Sequence, residues 1–118
     1  ITLLQGARNL AELYNHELFE QLSREHENFT YVPALDAPME GDNWQGFTGY
    51  VHDAAIKHFD GLFSDHKAYL CGPPPMIDAA ITALMQGRLF ERDIYMERFL
   101  TAADGATGVQ KSALFRKI

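Results

Sequence analysis

The chain is predicted to be an α/β protein built on a doubly wound parallel sheet. Two observations predict this. Short apolar runs of strand character alternate with segments of helical periodicity, in the order strand, helix, strand, helix, strand, helix, strand. Its 118 residues, 47% of them hydrophobic, are enough for one domain and too few for two ordinary ones. No internal repeat or low-complexity tract interrupts the alternation.

Residues 1–5, ITLLQ, read as a short buried strand ending at Gly6. Asn9 is a good helix N-cap, and Glu12 three residues later would complete a capping box. Leu10, Leu13, Tyr14, Leu18 and Leu22 follow at helical spacing, so this helix is expected to run to about His26. Residues 29–35, FTYVPAL, form the second strand. Pro33 lacks a ladder donor, which calls for an edge position or a bulge. Residues 36–48, DAPMEGDNWQGFT, are rich in turn formers and read as a long loop. Trp44 and Phe47 within it either cover a ligand or, more commonly for such residues, anchor the loop to the core. A short helix over 50–59 turns Val51, Ala54, Ala55 and Phe59 inward.

The third strand is KAYLC, 67–71, stopped by Gly72 and three prolines. Proline cannot continue a ladder but suits the first turn of a helix. Met76, Ile77, Ala80, Ile81, Leu84 and Met85 then give a broad apolar stripe that ends at Gly87. DIYME, 93–97, is the last strand. TAADGATG reads as a linker, and the tail VQKSALFRKI is weakly amphipathic with three positive charges.

Ten Lys and Arg against sixteen Asp and Glu give a formal charge of −6, so the chain has no electrostatic reason to bind nucleic acid or an anionic membrane. No stretch approaches the roughly 18 apolar residues of a membrane helix. Cys71 is the only cysteine. An intrachain disulfide and a paired-cysteine zinc cluster are therefore excluded, and a reducing, cytoplasmic setting is expected. The five histidines match no common zinc spacing, and no metal site is expected. The first residues lack a signal-peptide pattern and an initiator Met, which suggests a fragment.

Ligands of doubly wound sheets bind at the carboxyl ends of the strands. Distinctive residues stand at those ends here. Gly6 opens a turn in which a missing side chain lets a ligand approach the backbone, and Arg8 can pair with phosphate or stack on a base. An ordinary strand-to-helix turn is the commoner outcome for such a pattern alone. Asp36 can accept hydrogen bonds from ribose hydroxyls and repels a 2′-phosphate, although a plain turn aspartate looks the same in sequence. Cys71, followed by Gly72, Pro73 and Pro74, ends a strand either as a small buried hydrophobe or beside a flat ring system.

The combination is more specific than its parts. Gly-Ala-Arg-Asn after a strand, then Ala-Glu-Leu-Tyr, then Leu-Cys-Gly-Pro-Pro-Pro-Met-Ile-Asp-Ala, then Asp-Ile-Tyr-Met-Glu-Arg-Phe-Leu, resembles the ferredoxin–NADP reductase superfamily. Within it, the chain is most similar to the NADH-binding domain of reductases serving bacterial multicomponent phenol hydroxylases and related toluene and methane monooxygenases. The resemblance covers residues 1 to about 104. It implies a Rossmann-like domain in which NADH gives a hydride to FAD, and electrons pass through a [2Fe-2S] centre to a di-iron hydroxylase. The protein's part is to hold the nicotinamide against the flavin.

Carried over residue by residue, the resemblance puts Gly6, Ala7 and Arg8 near the adenosine half of the dinucleotide. It puts Asp36 where NADP-preferring relatives use a serine beside an arginine; here Ala37 is neutral, which favours NADH. Cys71, Gly72, Pro73 and Pro74 match the segment along the nicotinamide and pyrophosphate, with Cys71 near the point of hydride transfer in a packing and polarising role. Glu97 and Phe99 match the carboxylate and aromatic that approach the flavin.

Other parts of the family pattern are absent. There is no Cys-x4-Cys-x2-Cys iron–sulfur pattern and no Arg-x-Tyr-Ser-type flavin motif. The family's first nucleotide-domain strand, central in its 3-2-1-4-5 order, is missing too. Its loss is expected to leave a gap between the first and third strands of this chain. Residues 1–104 are thus expected to be a partial NAD-binding domain of an FAD/iron–sulfur reductase, and 105–118 a C-terminal tail. The isolated piece is expected to be inactive, and to dimerise or exchange strands to cover its open edge. The alternatives are the flavin subunit of a sodium-pumping NADH:quinone reductase, whose Cys-Gly-Pro-Pro loop is similar, and a nucleotide-binding or interaction module without turnover.

Overall fold

The structure is a computed structural model and describes residues 1–98. The described residues divide into two compact units, 1–57 and 58–98. The fold is α/β with parallel strands throughout the described residues.

In the first unit, β1 (Thr2–Ala7) pairs in parallel with β2 (Thr30–Leu35), from Thr2 opposite Thr30 to Ala7 opposite Leu35. A two-residue strand, β3 (Phe47–Thr48), adds to the far side of β2 against Ala34 and Leu35. The turn-rich 36–48 segment therefore contains a strand end that composition concealed, because a two-residue pairing leaves no periodicity. β2 is consequently the middle strand, not an edge. Pro33 is tolerated there by alternation. Thr30 and Asp36 donate their N–H groups toward β1, to Ile1 O at 2.9 Å and Ala7 O at 3.0 Å, so the odd-numbered residues between them face the other way. β3 does not reach Pro33 on that side, and no ladder donor is missed.

The first expected helix is broken in two. A 3₁₀ turn covers Leu10–Glu12, and α1 runs over His16–Glu25. Asn15 between them is left-handed, with φ 51°, a conformation that asparagine tolerates better than most residues. The break resets the helical phase. Leu13 is buried, but Tyr14 and Leu18 are 73% and 49% exposed, and Phe19 rather than Leu18 meets the sheet through Tyr31, with ring centroids 5.4 Å apart. The Gln5 side chain holds the break. Its amide oxygen accepts from Tyr14 N at 2.6 Å, while its amide nitrogen donates to Tyr14 O at 2.9 Å and Tyr31 Oη at 3.0 Å. Trp44 anchors its loop, donating from Nε1 to Phe47 O at 2.9 Å. α2 (Val51–His58) buries Ala54.

In the second unit, β4 (Ala68–Gly72) pairs in parallel with β5 (Ile94–Arg98). α3 (Pro74–Gln86) connects them, starting on prolines as expected, and buries Ile77, Ala80, Ile81, Ala83 and Leu84. Ile94 and Met96 of β5 complete this core. Complete burial of a side chain such as Ile77 contributes about 1.5–3 kcal/mol. Gly87 ends α3 where an added Cβ would strike the Phe63 ring and Gly61 O. No ladder joins β1 to β4 among the described residues; they lie in separate sheets, β1-β2-β3 and β4-β5. The linker and tail expected beyond Phe99 lie outside the described residues.

Candidate functional site

Gly6 and Ala7 are the last residues of β1, opposite Ala34 and Leu35. A Cβ on Gly6 would lie 3.0 Å from Val51 Cβ, so its missing side chain serves the close approach of α2. Arg8 is exposed and makes no ion pair among the described residues. Its backbone is tied on both sides: the N–H donates to Glu12 Oε2 at 3.3 Å, and the carbonyl accepts from Ala37 N at 2.8 Å. Asp36 N donates to Ala7 O at 3.0 Å. The fold thus brings Gly6, Ala7, Arg8 and Asp36 together at two neighbouring strand ends.

Asp36 is half-buried, and its Oδ1 has no hydrogen-bond partner among the described residues. An acceptor left in this state costs about 1–3 kcal/mol until a donor reaches it. Asn9 is in the same position. It makes no side-chain cap, contrary to the capping box expected from sequence, and its Oδ1 is buried and unpaired. Asn9 therefore joins the candidates; sequence signalled it only as a cap. The turn that follows is three residues long, and carboxylates already occupy the Arg8 and Leu10 N–H groups. The helix expected to start at Asn9 is thus replaced here by a 3₁₀ turn.

In the second unit, Cys71 and Gly72 end β4, and the ladder places them opposite Glu97 and Arg98. Parallel neighbours share a face, and Cys71 and Glu97 are both exposed. The sequence alternative of a buried cysteine does not hold among the described residues. Two residues back on the same face, Tyr69 and Tyr95 stack with centroids 4.9 Å apart and planes 11° from parallel. Gly72, Arg98 and Met96 alternate to the other face, toward α3. The Met76 methyl and sulfur occupy the space a Gly72 side chain would need. Pro73 caps α3, Pro74 is its first residue, and Pro73 O accepts from Ile77 N at 3.1 Å. Arg98 Nη2 pairs with Asp78 Oδ1 at 2.6 Å, fixing the end of β5 to α3. Phe99 lies outside the described residues. No base engages the exposed Cys71 thiol among the described residues.

Among the described residues, no three His, Cys, Asp or Glu side chains gather as a metal would require. No described helix is long and apolar enough to cross a membrane.

Over its whole length the chain is 70% identical to the reductase component DmpP of phenol 2-monooxygenase from Pseudomonas sp. (strain CF600), covering 33% of that protein. It is 64% identical over its whole length to the phenol hydroxylase P5 protein of Acinetobacter pittii (strain PHEA-2), again covering 33% of the relative. The chain spans about a third of the length of these relatives. Among solved structures, the cytochrome P450 reductase GcoB of Amycolatopsis superposes with a TM-score of 0.72 at 30% identity, over 83% of this chain and 28% of that one. The resemblance found in the sequence is borne out. Residues 1–82 match the oxidoreductase NAD-binding domain, and the chain belongs to that family.

Proposed function

We propose that the chain is the NADH-binding part of a flavin-dependent reductase that passes electrons from NADH through FAD and a [2Fe-2S] centre to a di-iron phenol hydroxylase. The observation that supports this best is the register of β4 and β5, which sets Cys71 opposite Glu97 on one exposed face at the strand carboxyl ends. The 70% identity to a phenol 2-monooxygenase reductase component favours the hydroxylase as acceptor.

In the first unit, Gly6, Ala7, Arg8 and Asp36 take the adenosine half. Asp36 presents a carboxylate with an unpaired oxygen. Ribose hydroxyls are donors that match it, whereas a 2′-phosphate brings only negative charge. Arg8 offers an exposed guanidinium for stacking or for phosphate. In the second unit, Cys71, Gly72, Pro73 and Pro74 line the nicotinamide and pyrophosphate. Glu97 and Phe99 approach the flavin. When bound, NADH supplies the hydride, and FAD and the iron–sulfur centre divide the electron pair. The chain's own residues orient the rings and exclude water. Residues 1–104 are the partial NAD-binding domain and 105–118 its tail. The setting is cytoplasmic, and the isolated piece dimerises or exchanges strands.

The test is the full-length reductase, assayed for NADH-dependent cytochrome c reduction. A rate well above that of free FAD is expected. A rate no greater than free FAD overturns the reading and favours a nucleotide-binding module.

A further inference from the structure

We propose that Asp42 is a positioning residue for the adenosine half of the nucleotide, clamping together the two loops that carry Arg8 and Asp36. The proposal rests on the assignment of those strand ends to NADH.

The 3₁₀ turn Leu10–Glu12 begins with N–H groups that need acceptors. The residue placed to cap it, Asn9, makes no such bond. The acceptor comes instead from 32 residues away: Leu10 N donates to Asp42 Oδ2 at 3.1 Å in a partly buried contact. The same oxygen accepts from Met39 N at 2.9 Å. One carboxylate oxygen therefore bridges the loop after β1 and the loop after β2. The Ala37 N to Arg8 O bond, at 2.8 Å, is the second link between them. Arg8 stands at this second link, and Asp36 directly precedes it. Without the Asp42 oxygen the Leu10 N–H would stand partly buried with no acceptor. The loops would then have to be ordered at the expense of nucleotide affinity. The residues proposed to face the nicotinamide and flavin are in the other unit, so the cost falls on binding and not on the chemical step.

The experiment uses the full-length reductase with its flavin and iron–sulfur centre, as Asp42→Ala and Asp42→Asn. Asparagine keeps an oxygen able to accept both N–H groups while removing the charge. In NADH-dependent ferricyanide reduction, Asp42→Ala is expected to raise KM for NADH about tenfold, or ~1.4 kcal/mol, with kcat within about twofold of the parent. Asp42→Asn is expected to stay near the parent. Amide hydrogen exchange at Leu10 and Met39 is expected to quicken in the alanine variant alone. An unchanged KM in Asp42→Ala, equal impairment of both variants, or a fall in kcat matching the rise in KM each overturns the proposal. If replacing Asp36 and Ala37 leaves the NADH/NADPH preference unchanged, the underlying assignment fails. Faster exchange in Asp42→Ala would then show a clamp without a nucleotide role, which also overturns it.

Discussion

The two units place their candidate residues by different means. In the second, α3 buries five apolar side chains against β4 and β5, and the ladder alone sets Cys71 beside Glu97. In the first, α1 buries no residue completely, and polar side chains hold the strand ends: Gln5 on Tyr14 and Tyr31, Glu12 on Arg8, Asp42 on Leu10 and Met39. His16 extends that network, with Nδ1 3.0 Å from Tyr31 Oη and Nε2 2.9 Å from Glu20. Apolar packing tolerates no missing volume, whereas a hydrogen-bonded loop tolerates substitution wherever the acceptor survives. Damage to the second unit should therefore appear as lost stability, and damage to the first as lost affinity or selectivity.

The contrast breaks most readily at Ile77, which is fully buried. Ile77→Ala in the full-length reductase should cost about 2–5 kcal/mol in urea unfolding; less than 1 kcal/mol would mean that α3 is not the packing element it is taken for here. Next comes selectivity. Asp36→Ser with Ala37→Arg should move the NADH/NADPH ratio of kcat/KM at least about tenfold toward NADPH, with the melting temperature nearly unchanged. An unaltered ratio would displace Asp36 from the ribose. Cys71→Ala should lower kcat by no more than about tenfold if it acts by contact and polarisation, as proposed; complete loss would indicate covalent participation.

Smaller effects sharpen the same contrast in the first unit. Burial raises the Tyr31 phenol above its ordinary 10.0, and the Glu20 charge adds to this while the Gln5 hydrogen bond opposes it. The folded state thus holds that proton more tightly than the unfolded state. The stability it supplies is whole below about pH 10 and is lost as pH rises through the raised value. Tyr31→Phe should flatten that alkaline part of the stability profile, read by unfolding between pH 9 and 11 (a window of about one unit on either side of the ordinary value). Finally, Leu18→Ala on α1 should change stability by less than about 0.5 kcal/mol, since Leu18 is half exposed. A larger loss would mean that α1 buries more than its exposed face indicates.

What sequence revealed follows the same division. The α3 stripe, the proline start and the Gly87 stop were legible because a buried helix repeats its apolar positions in register with its own geometry. The strands ending at Cys71 and Glu97 were read from sequence, but only the ladder set the two residues opposite each other. The first helix misled because Leu10, Leu13, Tyr14 and Leu18 kept helical spacing across a left-handed Asn15 that no periodicity reports. β3 was hidden within a turn-rich segment because pairing of two residues needs no pattern.

The sequence by itself determined the alternation of strands and helices, the acidic residue Asp36 at the end of the second strand, and the motifs around Cys71 and Glu97 that mark the family. These are local properties, set by the period of the backbone and the charge of one side chain. Only the tertiary structure decided that Gly6 makes room for Val51, that Asn9 leaves its oxygen unpaired, and that Asp42 caps a turn 32 residues away. Each of these depends on which N–H or Cβ another segment brings close, and chain order does not encode that distance.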